Sequence, residues 1–120
     1  MKRKLILPAL LLPLLLAAAC FDEASIRVTN KVHNVMLDNI QFDQIGIASG
    51  LLTGETTSKL TISEHTAGVN FPITAQVQFY MVQGDRRVFL KTEDVYTLDV
   101  DDNLTIVIDD STAVVNSFSK

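Results

Sequence analysis

Alternation of apolar and polar residues is the feature of this chain that most restricts its fold. Across residues 71–81 every odd-numbered residue is apolar, whereas Thr or Gln occupies three of the even-numbered positions. A period of two places one set of side chains on the buried face of a β-strand and the other set on the solvent face. Residues 96–100 and 104–108 repeat this pattern over shorter stretches. The sequence therefore predicts a chain built of β-strands.

Short turn signals separate these strands. Gly84-Asp85 is a two-residue loop that opens with Gly, which predicts a type II′ hairpin, and the Asp-Asp-Asn sequence of residues 101–103 predicts a second tight hairpin. No window keeps the apolar spacing of an amphipathic helix for long. We therefore predict an all-β domain, a single antiparallel immunoglobulin-like or transthyretin-like β-sandwich of about seven or eight strands.

The first 20 residues differ from the rest of the chain. Residues 2–4 are basic, residues 5–19 form an apolar run too short to span a bilayer, and three alanines lead to Cys20, the only cysteine. A basic segment, a short apolar segment and small residues before a cleavage site are typical of a secretory signal peptide. With a cysteine directly after the small residues, this order resembles the signal of bacterial lipoproteins.

The resemblance implies cleavage before Cys20 and attachment of lipid, such as palmitate, to the cysteine. That family most often has Leu three residues before the cysteine, whereas this chain has Ala17 there. An ordinary secretory signal followed by a free cysteine is the alternative. On the lipoprotein interpretation, residues 1–19 are the signal peptide, residues 20–24 are the lipidated N-terminus and a short linker, and residues 25–120 form the β-sandwich domain.

Residues that follow Cys20 carry further resemblances. Asp directly after the cysteine is an inner-membrane retention signal in some Gram-negative bacteria, and Phe21 in that place favours the outer membrane. Asp22-Glu23 resembles the surface-export signals of Bacteroidetes lipoproteins, and the strand-rich remainder is similar in composition to small lipoprotein domains of that phylum. We expect a lipid anchor in the outer membrane, with the domain on the periplasmic side or at the cell surface.

The charge of the chain restricts its partners. Cleavage before Cys20 would remove three of the ten basic residues and none of the fourteen acidic residues, so the remaining 101 residues would carry a net charge of −7. Binding to phosphates needs a basic face, so we do not expect nucleic acid as a partner. A chain with one cysteine forms no intramolecular disulfide, so its stability must come from a packed core.

An acidic stretch near the C-terminus is the best candidate for a metal site. If Asp99 is position 1 of a helix-loop-helix calcium loop, then Asp101, Asn103 and Asp110 occupy positions 3, 5 and 12. Position 6 needs Gly in such a loop but is Leu104, which belongs to an alternating stretch. We therefore expect an acidic turn and no cofactor, and we keep calcium bound by these four residues as a minor alternative.

Four apolar residues are candidates for surface contacts. Tyr80 and Phe89 lie on either side of the Gly84-Asp85 turn with parity opposite to Phe79, which predicts a cross-strand pair on the outer face, unless a second layer covers it. Leu51 and Leu52 lie between two glycines, where they either close one end of the core or offer an apolar contact to another protein.

Residues with a catalytic pattern are not evident. The chain lacks a Gly-x-Ser-x-Gly turn, and His33 and His65 follow no metal-ligand spacing. We therefore predict a non-enzymatic, outer-membrane-anchored binding or envelope-assembly module with a protein or glycan partner. One alternative is a pilus or adhesin accessory subunit in which an edge strand, such as residues 26–30, pairs with a neighbouring chain. The others are a calcium-dependent carbohydrate binder and a small hydrolase with paired carboxylates.

Overall fold

The computed structural model describes residues 22–64 and 68–116. The elements in these two ranges are all β-strands, which confirms the predicted all-β class. They are β1 (Glu23–Lys31), β2 (Met36–Phe42), β3 (Ile45–Ala48), β4 (Leu60–Ser63), β5 (Ile73–Ala75), β6 (Val77–Gln83), β7 (Arg86–Thr92), β8 (Tyr96–Leu98), β9 (Asn103–Asp109) and β10 (Val114–Asn116). The predicted signal peptide, Cys20 and His65 lie outside the described residues. β1 begins at Glu23, inside the predicted linker.

The strands form three sheets. One has the order β4-β1-β9, the second has the order β10-β7-β6-β2-β3, and β5 and β8 form a separate pair. β1 runs parallel to β9, from Ser25 opposite Asn103 to Lys31 opposite Asp109, so the prediction of a purely antiparallel fold is wrong. These two strands come from opposite ends of the domain, where no tight hairpin forces them to be antiparallel.

The alternating stretch of residues 71–81 contains two strands, which is one reason why ten strands are described where seven or eight were predicted. β5 ends at Ala75 and pairs with β8, whereas β6 begins at Val77 and pairs with β2 and β7. Between them, the Gln76 amide Nε2 donates to the carbonyl oxygen of Thr92 at 2.7 Å, and the Val77 backbone N–H donates to Thr92 Oγ1 at 3.0 Å. Side-chain alternation continues across this break, because Ile73, Val77 and Phe79 are all buried.

The two predicted hairpins have different outcomes. β6 and β7 form an antiparallel hairpin in which Gln83 lies opposite Arg86, and Gly84 has the positive φ, 59°, that a type II′ turn requires at its first central residue. β8 and β9 belong to different sheets, so the turn between them is not a hairpin. The residue types of a turn permit a reversal of the chain, but they do not decide which strand the chain pairs with next.

One hydrophobic core includes side chains from all three sheets. Its most deeply buried members are Ile26, Val28, Leu37, Ile40, Phe42, Val77, Phe79, Leu98, Ile106 and Ile108. Complete burial of a side chain of this size stabilises a fold by about 1.5–3 kcal/mol. This core stabilises the domain without a disulfide.

Residues 26–30 do not form an edge, so they are not the edge strand that the pilus or adhesin alternative gave as its example. They belong to β1, which pairs with β9 on one side and with β4 and the residues before it on the other. The Thr57 N–H donates to the carbonyl oxygen of Val28 at 2.9 Å, and the Asn30 N–H donates to that of Glu55 at 2.9 Å. A neighbouring chain would have to displace one of these partners before it could pair with this strand.

Candidate functional site

An aromatic pair lies on the outer face of the five-stranded sheet. Tyr80 on β6 is directly opposite Phe89 on β7, and their ring centroids are 4.9 Å apart with an interplanar angle of 40°. The neighbouring residue of β6, Phe79, points into the core and is fully buried. Tyr80 and Phe89 are themselves half-buried. The predicted cross-strand pair is thus present; its use as a contact surface stays a prediction.

Arg87 extends this pair with a positive charge. Its guanidinium carbon lies 4.0 Å from the centroid of the Tyr80 ring, a cation–π contact, and its Nη1 donates to Asp38 Oδ2 at 2.8 Å. The side chain of Arg87 stays 48% exposed, and that of Asp38 is 24% exposed. The guanidinium is therefore fixed in position and still accessible to a ligand.

Asp38 completes the group from β2, where it lies opposite Tyr80. The hydrogen bond from Arg87 holds the pKa of Asp38 below its usual value, with a further contribution from the Gly50 N–H, which donates to Asp38 Oδ1 at 3.1 Å. We call Asp38, Tyr80, Arg87 and Phe89 the outer-face cluster. It spans three adjacent strands.

An apolar border adjoins the outer-face cluster. Met36 on β2 lies opposite Val82 on β6, and both side chains are half-buried. Because residues two apart along a strand share a face, Val82 lies on the same side as Tyr80 and Met36 lies on the same side as Asp38. Together these residues combine apolar area, aromatic rings, a cation and an anion on one sheet surface, which are the groups that recognise peptides or sugars.

The two leucines of the predicted contact Leu51-Leu52 have opposite environments. Leu51 is only 6% exposed and exchanges two backbone hydrogen bonds with Leu37, at 2.9 and 2.8 Å. Leu51 thus closes the core, and its proposed role in surface contact is wrong. Leu52 is 55% exposed and stays a candidate.

Asn30 organises the loops at this end of the core, a role not predicted from the sequence. It is fully buried on β1, and its Nδ2 donates to the carbonyl oxygens of Val35 and Leu51, both at 2.9 Å. Its Oδ1 accepts from the Val32 N–H at 2.9 Å. The signal was present in the sequence, because the inward alternation of Ile26 and Val28 continues at Asn30, and a buried amide requires partners.

Three of the four proposed calcium ligands lie in or beside the turn between β8 and β9. Asp99 Oδ1 accepts from the Val100 N–H at 2.7 Å, the Asp101 N–H donates to the carbonyl oxygen of Glu23 at 2.7 Å, and Asn103 Oδ1 accepts from the Ser25 hydroxyl. Asp99 and Asn103 therefore each use a side-chain oxygen in a hydrogen bond within the protein. Asp101 is exposed. This turn is attached to the beginning of β1.

Asp110, the fourth proposed ligand, lies at the other end of β9. Asp110 is seven positions after Asn103, about 23 Å of strand, so the four residues do not come together, which contradicts the minor alternative of a calcium site built from them. Asp110 Oδ1 instead accepts from the backbone N–H of His33 at 3.0 Å. Among residues 22–64 and 68–116, no three His, Cys, Asp or Glu side chains are grouped in a way that suits a metal ion.

Comparison with known proteins identifies no relative, since no protein-family model, curated protein or solved structure matches the chain. Within the described residues, no helix has the length and apolar character needed to cross a membrane.

Proposed function

We propose that this protein is a non-catalytic binding module of the bacterial cell envelope, anchored in the outer membrane by lipid on Cys20, with a protein or glycan as partner. We further propose that its three sheets make up an immunoglobulin-like or transthyretin-like β-sandwich. The shared core of the three-stranded and five-stranded sheets supports this architecture. The order of basic, apolar and small residues before Cys20 supports the anchor.

The outer-face cluster is the observation that carries the binding role. Tyr and Arg are the residue types that most often dominate binding energies at interfaces. Here their positions are fixed before a ligand arrives, because Arg87 is held between the Tyr80 ring and the Asp38 carboxylate. A group already fixed in its binding conformation loses little entropy when a partner binds.

The position of β1 fits an anchored domain. β1 begins at Glu23, three residues after Cys20, so the lipid and the first strand would be at most about 11 Å apart. The turn of residues 99–102 adjoins the same end of β1, where the Asp101 N–H donates to Glu23. That end of the domain would lie next to the membrane. The outer-face cluster, on the outer face of the five-stranded sheet, would be accessible to partners.

A photo-crosslinking experiment in cells tests this function. A photoreactive residue replaces Gln78 or Lys91, which lie opposite each other on the outer face of the five-stranded sheet, beside Tyr80 and Phe89. The matched control positions are Thr61 and Thr105, both exposed on the three-stranded sheet. We expect a discrete adduct from Gln78 and Lys91 that is lost when Tyr80→Ala and Phe89→Ala are added, and protease digestion of the adduct distinguishes a protein from a glycan. Equal crosslinking from the control positions would contradict the proposal.

A further inference from the structure

A row of four residues crosses the outer face of the five-stranded sheet beside the outer-face cluster. Gln78 on β6 lies opposite Lys91 on β7 and, on its other side, opposite Gln41 on β2. Gln41 in turn lies opposite Gly46 on β3. We call Lys91, Gln78, Gln41 and Gly46 the polar row. With about 4.8 Å between neighbouring strands, the row is about 14 Å long.

A β-bulge in β2 brings Gln41 into this row. Asp38 and Gln41 are three positions apart, so in a regular strand their side chains would point to opposite faces. The pairing of β2 with β6 shifts between these two residues, and Asn39 has a φ of 49° there. As a result, Asp38 lies opposite Tyr80 and Gln41 lies opposite Gln78, both on the outer face. Bulges that redirect a side chain occur often beside functional sites.

Gly46 ends the polar row without a side chain, and the fold does not require glycine at this position. The other four glycines all have a positive φ, the conformation that favours glycine, whereas Gly46 does not. A Cβ atom added at Gly46 would meet no atom beyond its chain neighbours within 4 Å. Glycine inside a strand weakens the strand, and it often marks a place where a ligand approaches the backbone closely. The open end at Gly46 lets a ligand continue past β3.

The side chains of the polar row are available to a ligand. Within residues 22–64 and 68–116, the amides of Gln41 and Gln78 have no hydrogen-bond partner and Lys91 has no ion pair, although all three residues are half-buried. A free amide offers two N–H donors and one carbonyl acceptor, which suits hydroxyl groups because a hydroxyl both donates and accepts. The centres of protein–protein interfaces are, by contrast, depleted in Lys. Two free amides and a cation therefore fit a ligand that carries hydroxyls and negative charge.

We propose that the polar row and the outer-face cluster together bind an acidic glycan, with sugar hydroxyls on the two amides and a carboxylate on Lys91. The aromatic pair supplies apolar area beside the row for the C–H faces of the sugar rings. This inference rests on the binding role proposed above and narrows the partner to one class of ligand. An acidic peptide segment would carry the same charge without the array of hydroxyls.

Binding of the full chain, purified in detergent, to three immobilised polymers tests the class of ligand. Polygalacturonate is an acidic glycan, dextran is a neutral glycan and poly-L-glutamate is an acidic peptide chain. At one salt concentration we expect polygalacturonate to bind about tenfold more tightly than the other two, because it alone supplies both hydroxyls and carboxylates. Equal binding of poly-L-glutamate, or no binding of polygalacturonate, would overturn the glycan. Crosslinking in cells reports on the binding role independently, so the two proposals can fail separately.

Two substitutions test the position of the site. Gly46→Val should weaken binding of polygalacturonate about tenfold by closing the open end of the row. It should not lower the melting temperature, because the added side chain meets open space. Gln41→Ala should weaken binding about fivefold through loss of a hydrogen bond, while the matched control Gln44→Ala, in the turn between β2 and β3, leaves it unchanged. Unchanged affinity in both Gly46→Val and Gln41→Ala would overturn the assignment of the site to the polar row.

Discussion

Asn30 shows how one buried polar side chain can position two loops. Its amide contacts the loop that follows β1 through Val32 and Val35, and the loop before β4 through Leu51. Thr53 adds to this network, because its hydroxyl donates to the carbonyl oxygen of Val32 at 2.8 Å. Such networks fix loop conformation only while every member has a partner.

Replacement of Asn30 should therefore be costly. Asn30→Ala removes three hydrogen bonds and leaves the buried Val32 N–H without its acceptor, while the carbonyl oxygens of Val35 and Leu51 keep a donor each. We expect the free energy of unfolding to fall by about 3 kcal/mol, since each hydrogen bond contributes about 1 kcal/mol. The matched control is Asn70→Ala, an exposed loop position, for which a change of less than about 0.5 kcal/mol is expected. Urea denaturation measures both values. Similar values for the two variants would show that the Asn30 network does not stabilise the loops.

The Asp38–Arg87 pair predicts a small dependence of stability on pH. The pKa of Asp38 is lowered in the folded state, mainly by the hydrogen bond from Arg87. A carboxyl of this kind stabilises the fold at pH values above its unfolded pKa and loses that contribution as pH falls through the folded pKa. The effect should be small because the pair is exposed to solvent.

Thermal melts of the wild type and Asp38→Asn test this expectation. We expect Asp38→Asn to melt slightly lower near pH 7, and the difference should decrease below about pH 4 and vanish once Asp38 is protonated. Asp85→Asn, in the neighbouring turn, serves as the control for removal of a surface charge. A difference that stays constant over the whole pH range would mean that the ion pair does not contribute.

At the scale of elements, the period of the sequence predicts which face a residue occupies better than it predicts which strands pair. The alternation assigns Phe79 to the core and Tyr80 to the outer face, and the Gly84 turn joins β6 to β7. Arg87 was not among the predicted contact residues, although it lies two positions from Phe89 and therefore on the same face of β7. Asp38 required knowledge of the pairing between β2 and β6, which includes a register shift between Asp38 and Gln41.

The local pattern of apolar and polar residues does not predict which strands pair when they are far apart in the sequence. The parallel contact of β1 with β9 joins residues nearly 80 positions apart, such as Ser25 and Asn103. The spacing of the acidic residues partly matches a calcium loop. Spacing alone does not show that β9 is extended and so places Asp110 far from Asn103. The break at Gln76 depends on hydrogen bonds to Thr92, a residue of another strand.

The alternation of β6 predicts two classes of substitution. Phe79→Ala empties a fully buried site and should lower the free energy of unfolding by about 3–5 kcal/mol. Gln78→Ala, on the adjacent outer-face position, should change it by less than about 0.5 kcal/mol. Gln76→Ala is not an equivalent control, because the Gln76 amide donates to Thr92. Equal effects at Phe79 and Gln78 would contradict the assignment of faces.

At the scale of the whole molecule, we propose a β domain held close to a membrane. Because only three positions separate Cys20 from the start of β1 in the sequence, a lipid on Cys20 would keep the domain close to the membrane. One acyl chain binds a membrane only marginally, whereas two or more chains hold a protein stably. An anchored domain needs no basic surface to remain there, which agrees with the acidic excess of the chain.

Metabolic labelling with an alkyne analogue of palmitate tests the central claim most directly. The full chain and its Cys20→Ala variant are expressed in a Gram-negative bacterium, and label, processing and membrane association are measured for each. We expect the wild-type chain to be cleaved, labelled and extracted into detergent, and the Cys20→Ala variant to remain an unlabelled precursor. A wild-type chain that is cleaved yet unlabelled and free of the membrane would contradict the lipid anchor.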